Sequence, residues 1–179
     1  MRIVALLRGI NVGGKNLIKM PALKACFERV PGVSEVSTYI ASGNVAFTAA
    51  KATTALATKL SRAIRSEFGA EVPVTLRDAK QLQAVLKSAP RGFGQQPKKY
   101  GYNVIFLFEP LKSREAVKHI ELREGVDGVA TGPGVLYAWR LAARASSSKI
   151  SKIVYTPIYS QLTIRNWNTT VALRELTSA

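Results

Sequence analysis

Cysteine and histidine are almost missing from this 179-residue chain, which has only Cys26 and His119. A single cysteine excludes an intramolecular disulfide and a zinc site built from several cysteines. One histidine and one cysteine also leave too little material for a Cys–His catalytic pair or a histidine-rich metal site. We therefore predict no catalytic residue and no metal ligand, and the residues identify no cofactor. A lone cysteine is typical of proteins of the reducing cytoplasm.

Acidic residues are scarce, since 11 Asp and Glu stand against 26 Lys and Arg and the formal net charge is +15. No acidic residue occurs from residue 1 to 27 or from residue 128 to 174. An excess of this size favours polyanionic partners, and nucleic acid is the first of them. The alternative is a basic surface that is merely solvated.

Long apolar runs are also missing. No stretch approaches the roughly 18 consecutive apolar residues of a membrane helix. The first apolar run ends at Arg8, well short of the apolar core of a secretory signal. We predict a soluble, cytoplasmic protein without a membrane partner. Its 47% hydrophobic composition is enough for a core in one compact domain or two small ones.

The first half of the chain has the pattern of two helices among four strands. Residues 3–7 are apolar in both alternating sets, which predicts a central strand covered on both faces. A helix that begins near Pro21 follows, and then two short strands separated by the turn at residues 41–44. A second helix closed by Gly69 and an alternating strand at residues 72–76 complete the order βαββαβ.

The same pattern restarts at residues 104–108 and includes a predicted helix around residues 150–154. We predict an α+β fold that duplicates two ferredoxin-like βαββαβ subdomains with antiparallel sheets. The first subdomain spans residues 1–77, a connecting helix and polar linker span 78–101, and the second subdomain with a C-terminal helix spans 102–179. Periodicity alone supports the duplication, because no residue-level repeat is visible between the halves.

A glycine-rich basic loop, residues 8–16, leaves the first predicted strand. Its glycines permit positive φ or close approach of another group, and its basic and amide side chains supply hydrogen-bond donors. The spacing from Gly9 to Gly14 and Lys15 is most of a phosphate-binding P-loop. However, Asn16 stands where that motif needs Ser or Thr, and Pro21 interrupts the expected helix. We therefore interpret the loop as an anion cradle and not as an NTPase site, with tight chain packing as the structural alternative.

Donor-rich residues gather at two further places, the turn from Ser42 to Asn44 and the segment 165–170. The second lies at a predicted helix start, where unpaired N–H groups attract anions. The alternative there is plain capping by asparagine with Trp167 as a core anchor. Because an anion site needs donors from several segments, we expect the three segments to converge on one face. The predicted ligand-binding residues are Arg8, Gly9, Asn11, Gly13, Gly14, Lys15, Ser42, Asn44, Arg165, Asn166 and Asn168.

Three motifs carry a resemblance that runs nearly end to end. LLRGINVGG at residues 6–14, YIASGNV at residues 39–45 and RNWNT at residues 165–169 resemble those of a widespread bacterial family catalogued as a domain of unknown function. The resemblance implies two ferredoxin-like subdomains and no established activity, and it supplies no catalytic residues. Ala41 departs from the polar residue, often glutamine, that the family pattern implies at this position.

These observations support a leading functional hypothesis and two alternatives. The leading one is binding of a phosphate-bearing partner, preferably nucleic acid, aided by Tyr100, Tyr102, Tyr155 and Tyr159. The first alternative is an enzyme or sensor that acts on a small phosphorylated or nucleotide ligand at the glycine-rich loop. The second is a homodimer whose subunits are held together by the loop motifs.

Overall fold

A computed structural model describes residues 1–178, which divide into two compact units. The first unit comprises Met1–Leu82 and the C-terminal residues from Ala172, and the second comprises Gln83–Val171. Each contains one four-stranded antiparallel sheet, so the fold is α+β with two subdomains. Residues 83–101, most of the predicted connecting helix and linker, belong to the second unit. Among residues 1–178, no helix has the length and apolar character needed to cross a bilayer.

The first unit places its central strand as predicted. Its elements are β1 (Arg2–Leu7), α1 (Met20–Glu28), β2 (Ser34–Tyr39), β3 (Asn44–Thr48), α2 (Thr54–Phe68) and β4 (Val74–Asp78). The strand order is β2-β3-β1-β4, and Ile3 to Leu7 of β1 are at most 1% exposed. Both faces of β1 are therefore buried, which is why its two alternating residue sets are both apolar.

Local signals in the sequence set the ends of the helices that cover this sheet. The hydroxyl of Thr53 accepts a hydrogen bond from the N–H of Leu56 at 3.2 Å and caps the start of α2. Gly69 ends α2 in the left-handed conformation at φ 66°. Behind the helices, the rings of Phe27 and Phe47 meet edge to face at 5.8 Å in the core.

The helix α3 (Ala79–Lys87) follows the first sheet, and the second sheet has the same plan. Its elements are β5 (Tyr100–Leu107), α4 (Ser113–Ala116), β6 (Asp127–Gly132), β7 (Val135–Leu141) and β8 (Leu162–Asn166), followed by α5 (Trp167–Glu175). The strand order is β6-β7-β5-β8, so β5 is interior as predicted.

The helix expected around residues 150–154 is instead a series of 3₁₀ turns, Ala142–Ser147, Ile150–Tyr155 and Tyr159–Gln161. Pro157 cannot continue an α-helix. Side-chain hydroxyl groups also bind backbone carbonyls in these turns. The hydroxyl of Ser147 donates to the carbonyl of Arg144 at 2.9 Å, and the hydroxyl of Thr156 donates to the carbonyl of Ile153 at 2.7 Å. The sheet face beneath these turns therefore has a thinner cover than α2 provides in the first unit.

The segment predicted as a polar linker is packed in the second unit through one aromatic ring. Phe93 meets four rings edge to face, with centroid distances of 4.9 Å to Tyr102, 5.4 Å to Tyr137, 6.1 Å to Trp139 and 5.1 Å to Trp167. A Cβ at Gly94 would lie 2.2 Å from Nε1 of Trp167. Glycine is therefore required at position 94 for the close approach of the indole.

Candidate functional site

The glycine-rich loop after β1 contains a tight two-residue hairpin turn. Val12 and Lys15 form an isolated antiparallel bridge, and the N–H of Lys15 donates to the carbonyl of Val12 at 3.1 Å. Gly13 and Gly14 between them have φ of 59° and 72°. Two successive positive φ values define a type I′ turn, which most residues adopt only with strain. No atom lies within 4 Å of a Cβ placed on either glycine, so conformation and not close packing explains both.

Two asparagine side chains hold the loop in shape. The amide of Asn11 donates to the carbonyls of Ile18 at 3.0 Å and Ala41 at 2.8 Å, and its oxygen accepts from the N–H of Ile18 at 2.8 Å. The amide of Asn16 donates to the carbonyl of Gly9 at 3.0 Å. Both residues have positive φ, 54° and 47°, which asparagine tolerates better than most residues. These hydrogen bonds give Asn11 and Asn16 a positioning role in the loop.

The structure brings the turn from Ser42 to Asn44 against this loop. The N–H of Leu7 donates to the carbonyl of Gly43 at 2.9 Å. A Cβ on Gly43 would lie 2.9 Å from both Cβ of Leu7 and Cγ1 of Ile10. Two of the three segments expected to converge therefore do so, within the first unit.

Within that turn, Asn44 is fully buried and its amide donates to the carbonyl of Tyr39 at 3.1 Å and to the hydroxyl of Ser42 at 3.0 Å. Asn44 thus shapes the turn from inside, while Ser42 is half-buried. Ile40 beside it has φ 48° although it is β-branched and half exposed. Such a conformation stores strain of about 1–3 kcal/mol and is found most often at functional sites.

The charged groups of the loop lie at different depths. Arg8 is half-buried, and its backbone N–H donates to the carbonyl of Pro73 at 3.0 Å. Lys15 is exposed at the edge of the turn, as are Gly9, Gly13 and Gly14. Val12 and Leu17 are 64% and 76% exposed, so apolar side chains flank the basic ones. The loop is an exposed basic surface whose backbone is held in a defined conformation.

The third predicted segment belongs to the second unit and begins with a buried cation. Arg165 is 7% exposed, and its Nη1 donates to the hydroxyl of Thr163 and to the carbonyl of Ile164, both at 2.8 Å. Burial lowers the pKa of Arg165 to about 10, so the guanidinium keeps its charge at neutral pH. Sequence analysis missed Arg77, which makes the same two contacts in the first unit. The sequence signal that could have identified Arg77 is a threonine two residues before each arginine, Thr75 before Arg77 and Thr163 before Arg165.

The residues after Arg165 start the last helix. The side-chain oxygen of Asn166 accepts from the N–H of Thr169 at 2.7 Å and so caps α5, as the structural alternative predicts. Trp167 is half-buried against Phe93, while Asn168 is exposed. The convergence of this segment with the glycine-rich loop stays a prediction.

Cys26 and His119 add no nucleophilic centre to this site. Burial, with a smaller contribution from Glu67, raises the pKa of the Cys26 thiol to about 11, which leaves it protonated and unreactive at neutral pH. His119 is exposed at the end of a 3₁₀ turn. In the part of the chain that the structure describes, no three His, Cys, Asp or Glu side chains are grouped to hold a metal ion.

Comparison with known proteins assigns a family and leaves the activity open. Residues 1–137 match the family described as a protein of unknown function (DUF1697), and the chain belongs to that family. The chain is similar to the solved structure of the conserved bacterial protein SP0830 from Streptococcus pneumoniae, with 25% identity and a TM-score of 0.83. That match covers 99% of this chain and 98% of the other. No curated protein matches the chain.

Proposed function

We propose that this member of the family binds a phosphate-bearing partner through the loop from Arg8 to Asn16, and that nucleic acid is the preferred partner. The observation that carries the proposal is the backbone of the type I′ turn. The N–H groups of Gly13 and Gly14 have no hydrogen-bond acceptor among residues 1–178, and both residues are exposed. Successive unpaired N–H groups in such a turn form a concave anion-binding surface.

The charge around this turn supports the same function. Lys15 extends the turn, Lys19 is exposed a few residues later, and no acidic residue occurs before Glu28. A phosphate at the turn therefore meets basic side chains without a competing carboxylate on the same segment. We also propose Arg165, Asn166 and Asn168 as further phosphate-contacting residues, and Asn168 is tested below.

Nucleic acid is preferred because the charge extends far beyond one loop. The formal net charge of +15 exceeds what a single small phosphorylated ligand needs. Tyr155 also presents a ring that is 87% exposed, which suits stacking of a base. Tyr102 is less suited because its ring packs on Phe93. We place this binding in the cytoplasm, as the single, buried cysteine favours.

A small phosphorylated or nucleotide ligand, bound by an enzyme or sensor, is the second candidate. The strained Ile40 beside the loop favours it, because strain is often retained where a ligand is held in one orientation. We also infer that each unit is ferredoxin-like. The equivalent strand orders β2-β3-β1-β4 and β6-β7-β5-β8 support this inference, and in the first unit the connecting helices α1 and α2 support it as well.

The test measures binding of a fluorescent single-stranded oligonucleotide at several salt concentrations. Contact with about six phosphates of a single strand lowers affinity by roughly 300-fold between 50 and 200 mM salt. Lys15→Ala should weaken binding and reduce the salt slope by about one, whereas Lys59→Ala, an exposed lysine on α2, is the matched control. If both variants weaken binding equally, binding depends only on the overall positive charge of the protein, and the loop is not the binding site.

Thermal shift at fixed salt separates the two candidates. A nucleotide or sugar phosphate that occupies the loop raises the melting temperature, and Arg8→Ala with Lys15→Ala removes that rise while the unliganded protein melts nearly unchanged. A large drop in the melting temperature of this unliganded double variant would show that Arg8 and Lys15 stabilise the fold and that the loop has a structural role. Asn168→Ala tests the last segment, because a residue of the same site lowers affinity for the same ligand.

A further inference from the structure

The second sheet differs from the first at two matched core positions. Ile3 lies opposite Phe47 in the first sheet, and at the equivalent place Asn103 lies opposite Ala138. Ile3 and Phe47 are fully buried in the core of the first unit. The second unit therefore has a polar residue in place of isoleucine and a small residue in place of phenylalanine. The volume that a ring fills in one sheet is left open in the other.

A cavity of about 180 Å³ lies at this place in the second unit. Its walls are formed by the sheet and by the 3₁₀ turn Ile150–Tyr155, and they include Asn103, Ala138, Arg140, Ile150, Val154 and Ile164. The missing ring at position 138 and the thin cover of 3₁₀ turns together explain the opening. The walls are mostly apolar.

The side chains of Asn103 and Arg140 have N–H groups that are available to a ligand in the cavity. Neither Asn103 nor Arg140 has a side-chain hydrogen bond or an ion pair among residues 1–178. The two residues are diagonal neighbours on one sheet face, because Asn103 pairs with Ala138 and Arg140 lies two residues further along β7. The side chain of Arg140 passes over Gly101, with Cγ and Nε 3.7 Å from the place of a Cβ there.

Asp127, the acidic residue opposite Arg140 in the sheet, accepts its hydrogen bonds from other residues. Asp127 pairs with Arg140 across β6 and β7. Its Oδ2 accepts from the N–H of Arg123 at 2.9 Å and from the N–H of Lys149 at 2.8 Å. Asp127 therefore fixes the chain that leads into the 3₁₀ turn, and the guanidinium of Arg140 forms no salt bridge with it in the described chain.

We propose that this cavity binds a small monocarboxylate with a compact apolar body. A guanidinium and a neighbouring amide offer several N–H donors to the two carboxylate oxygens. Ile150, Val154 and Ile164 provide an apolar wall for the rest of the molecule. The volume is below the roughly 300–1,000 Å³ of sites for drug-sized ligands, which limits the ligand to about the size of benzoate. This site is separate from the phosphate site proposed above and does not depend on it.

The first test is an NMR titration of the full, isotope-labelled chain with benzoate and with benzamide. Benzoate should shift the side-chain amide of Asn103, the Nε–H of Arg140 and the methyl group of Ala138. Benzamide has the same shape without the charge, and loss of a charge-assisted hydrogen bond should weaken its binding about tenfold or more. Shifts spread over other basic residues, equal binding of the two compounds, or no shift at about 10 mM benzoate would each overturn the proposal.

Variants provide the second test. Arg140→Gln should weaken benzoate binding about tenfold or more, whereas Arg114→Gln, an exposed arginine on α4, should leave it unchanged. Ala138→Phe restores the residue of the first sheet and should abolish binding by filling the cavity. Circular dichroism shows whether the Ala138→Phe variant folds. If it does not fold, the Arg140→Gln variant and the wild-type titration test the proposed site without it. Equal losses in the Arg140 and Arg114 variants would contradict the site.

Discussion

Arg77 and Arg165 occupy the same position in the two sheets and make the same contacts. Arg77 lies opposite Val4 of β1, and Arg165 lies opposite Val104 of β5. Nη1 of Arg77 donates to the hydroxyl of Thr75 at 2.7 Å, and Nη1 of Arg165 donates to that of Thr163 at 2.8 Å. The segments 75–78 and 163–166, TLRD and TIRN, are thus a residue-level repeat that the sequence analysis overlooked.

A first prediction concerns the cost of burying such a cation. Arg165→Met should leave the free energy of unfolding within about 1.5 kcal/mol of the wild type, because methionine keeps much of the volume and needs no hydration. Arg165→Ala should lose about 2–5 kcal/mol through the cavity it leaves. Urea unfolding of both variants measures the difference. Equal losses would show that the hydrogen bonds, and not the volume, are what the fold needs at this position.

A second prediction separates two kinds of glycine. Gly43→Ala places a Cβ 2.9 Å from atoms of Leu7 and Ile10 at φ 83°, so both strain and overlap oppose it. We expect a loss of about 2–4 kcal/mol of unfolding free energy. Gly14→Ala meets no atom within 4 Å, and only its positive φ costs about 1–2 kcal/mol. Thermal unfolding compares them, and a Gly14 variant as unstable as the Gly43 variant would contradict this assignment.

A third prediction follows from the carboxylate of Asp127. Partial burial acts to raise its pKa, but hydrogen bonds from Ser148 and from the N–H groups of Lys149 and Arg123 outweigh it and hold the pKa below its usual value. A lowered pKa adds stability that is present above the ordinary aspartate range and is lost as the pH falls through the folded-state pKa. Asp127→Asn should therefore lower the free energy of unfolding at pH 7 and flatten its fall in acid.

Urea unfolding between pH 7 and pH 2 measures this dependence. Glu124→Gln is a suitable control because Glu124 is exposed in the turn before β6. The control should retain the acid dependence of the wild type. If Asp127→Asn loses stability in acid as steeply as the wild type, other carboxylates determine the acid dependence.

A fourth prediction concerns the central strands. Each of β1 and β5 is paired on both sides, and the residues from Ile3 to Leu7 and from Val104 to Leu107 are at most 2% exposed. Their amides should exchange with solvent only on global unfolding, and more slowly than those of the edge strands β2 and β6. Hydrogen exchange followed by NMR tests this order. Exchange of β1 or β5 at the rate of the edge strands would contradict it.

Features that depend on neighbouring residues could be predicted from the sequence alone. Apolar residues in both alternating sets identified β1 and β5 as interior strands, since only such strands are covered on both faces. Gly69 marked the end of α2, because a C-terminal cap acts within one turn of the helix. The glycines at 13 and 14 indicated positive φ or a close approach, and both residues do have positive φ, a preference that belongs to glycine itself.

Features that depend on residues far apart in the chain became visible only in the folded structure. Phe93 lies in a stretch rich in glycine, lysine and glutamine, and nothing in that pattern indicates four aromatic neighbours. Asn11 positions the loop by donating to Ala41, thirty residues away. The cavity exists because Ala138 stands where the other sheet has a ring, a comparison that requires the register of both sheets. Periodicity describes which face a residue occupies, whereas packing determines what that face meets.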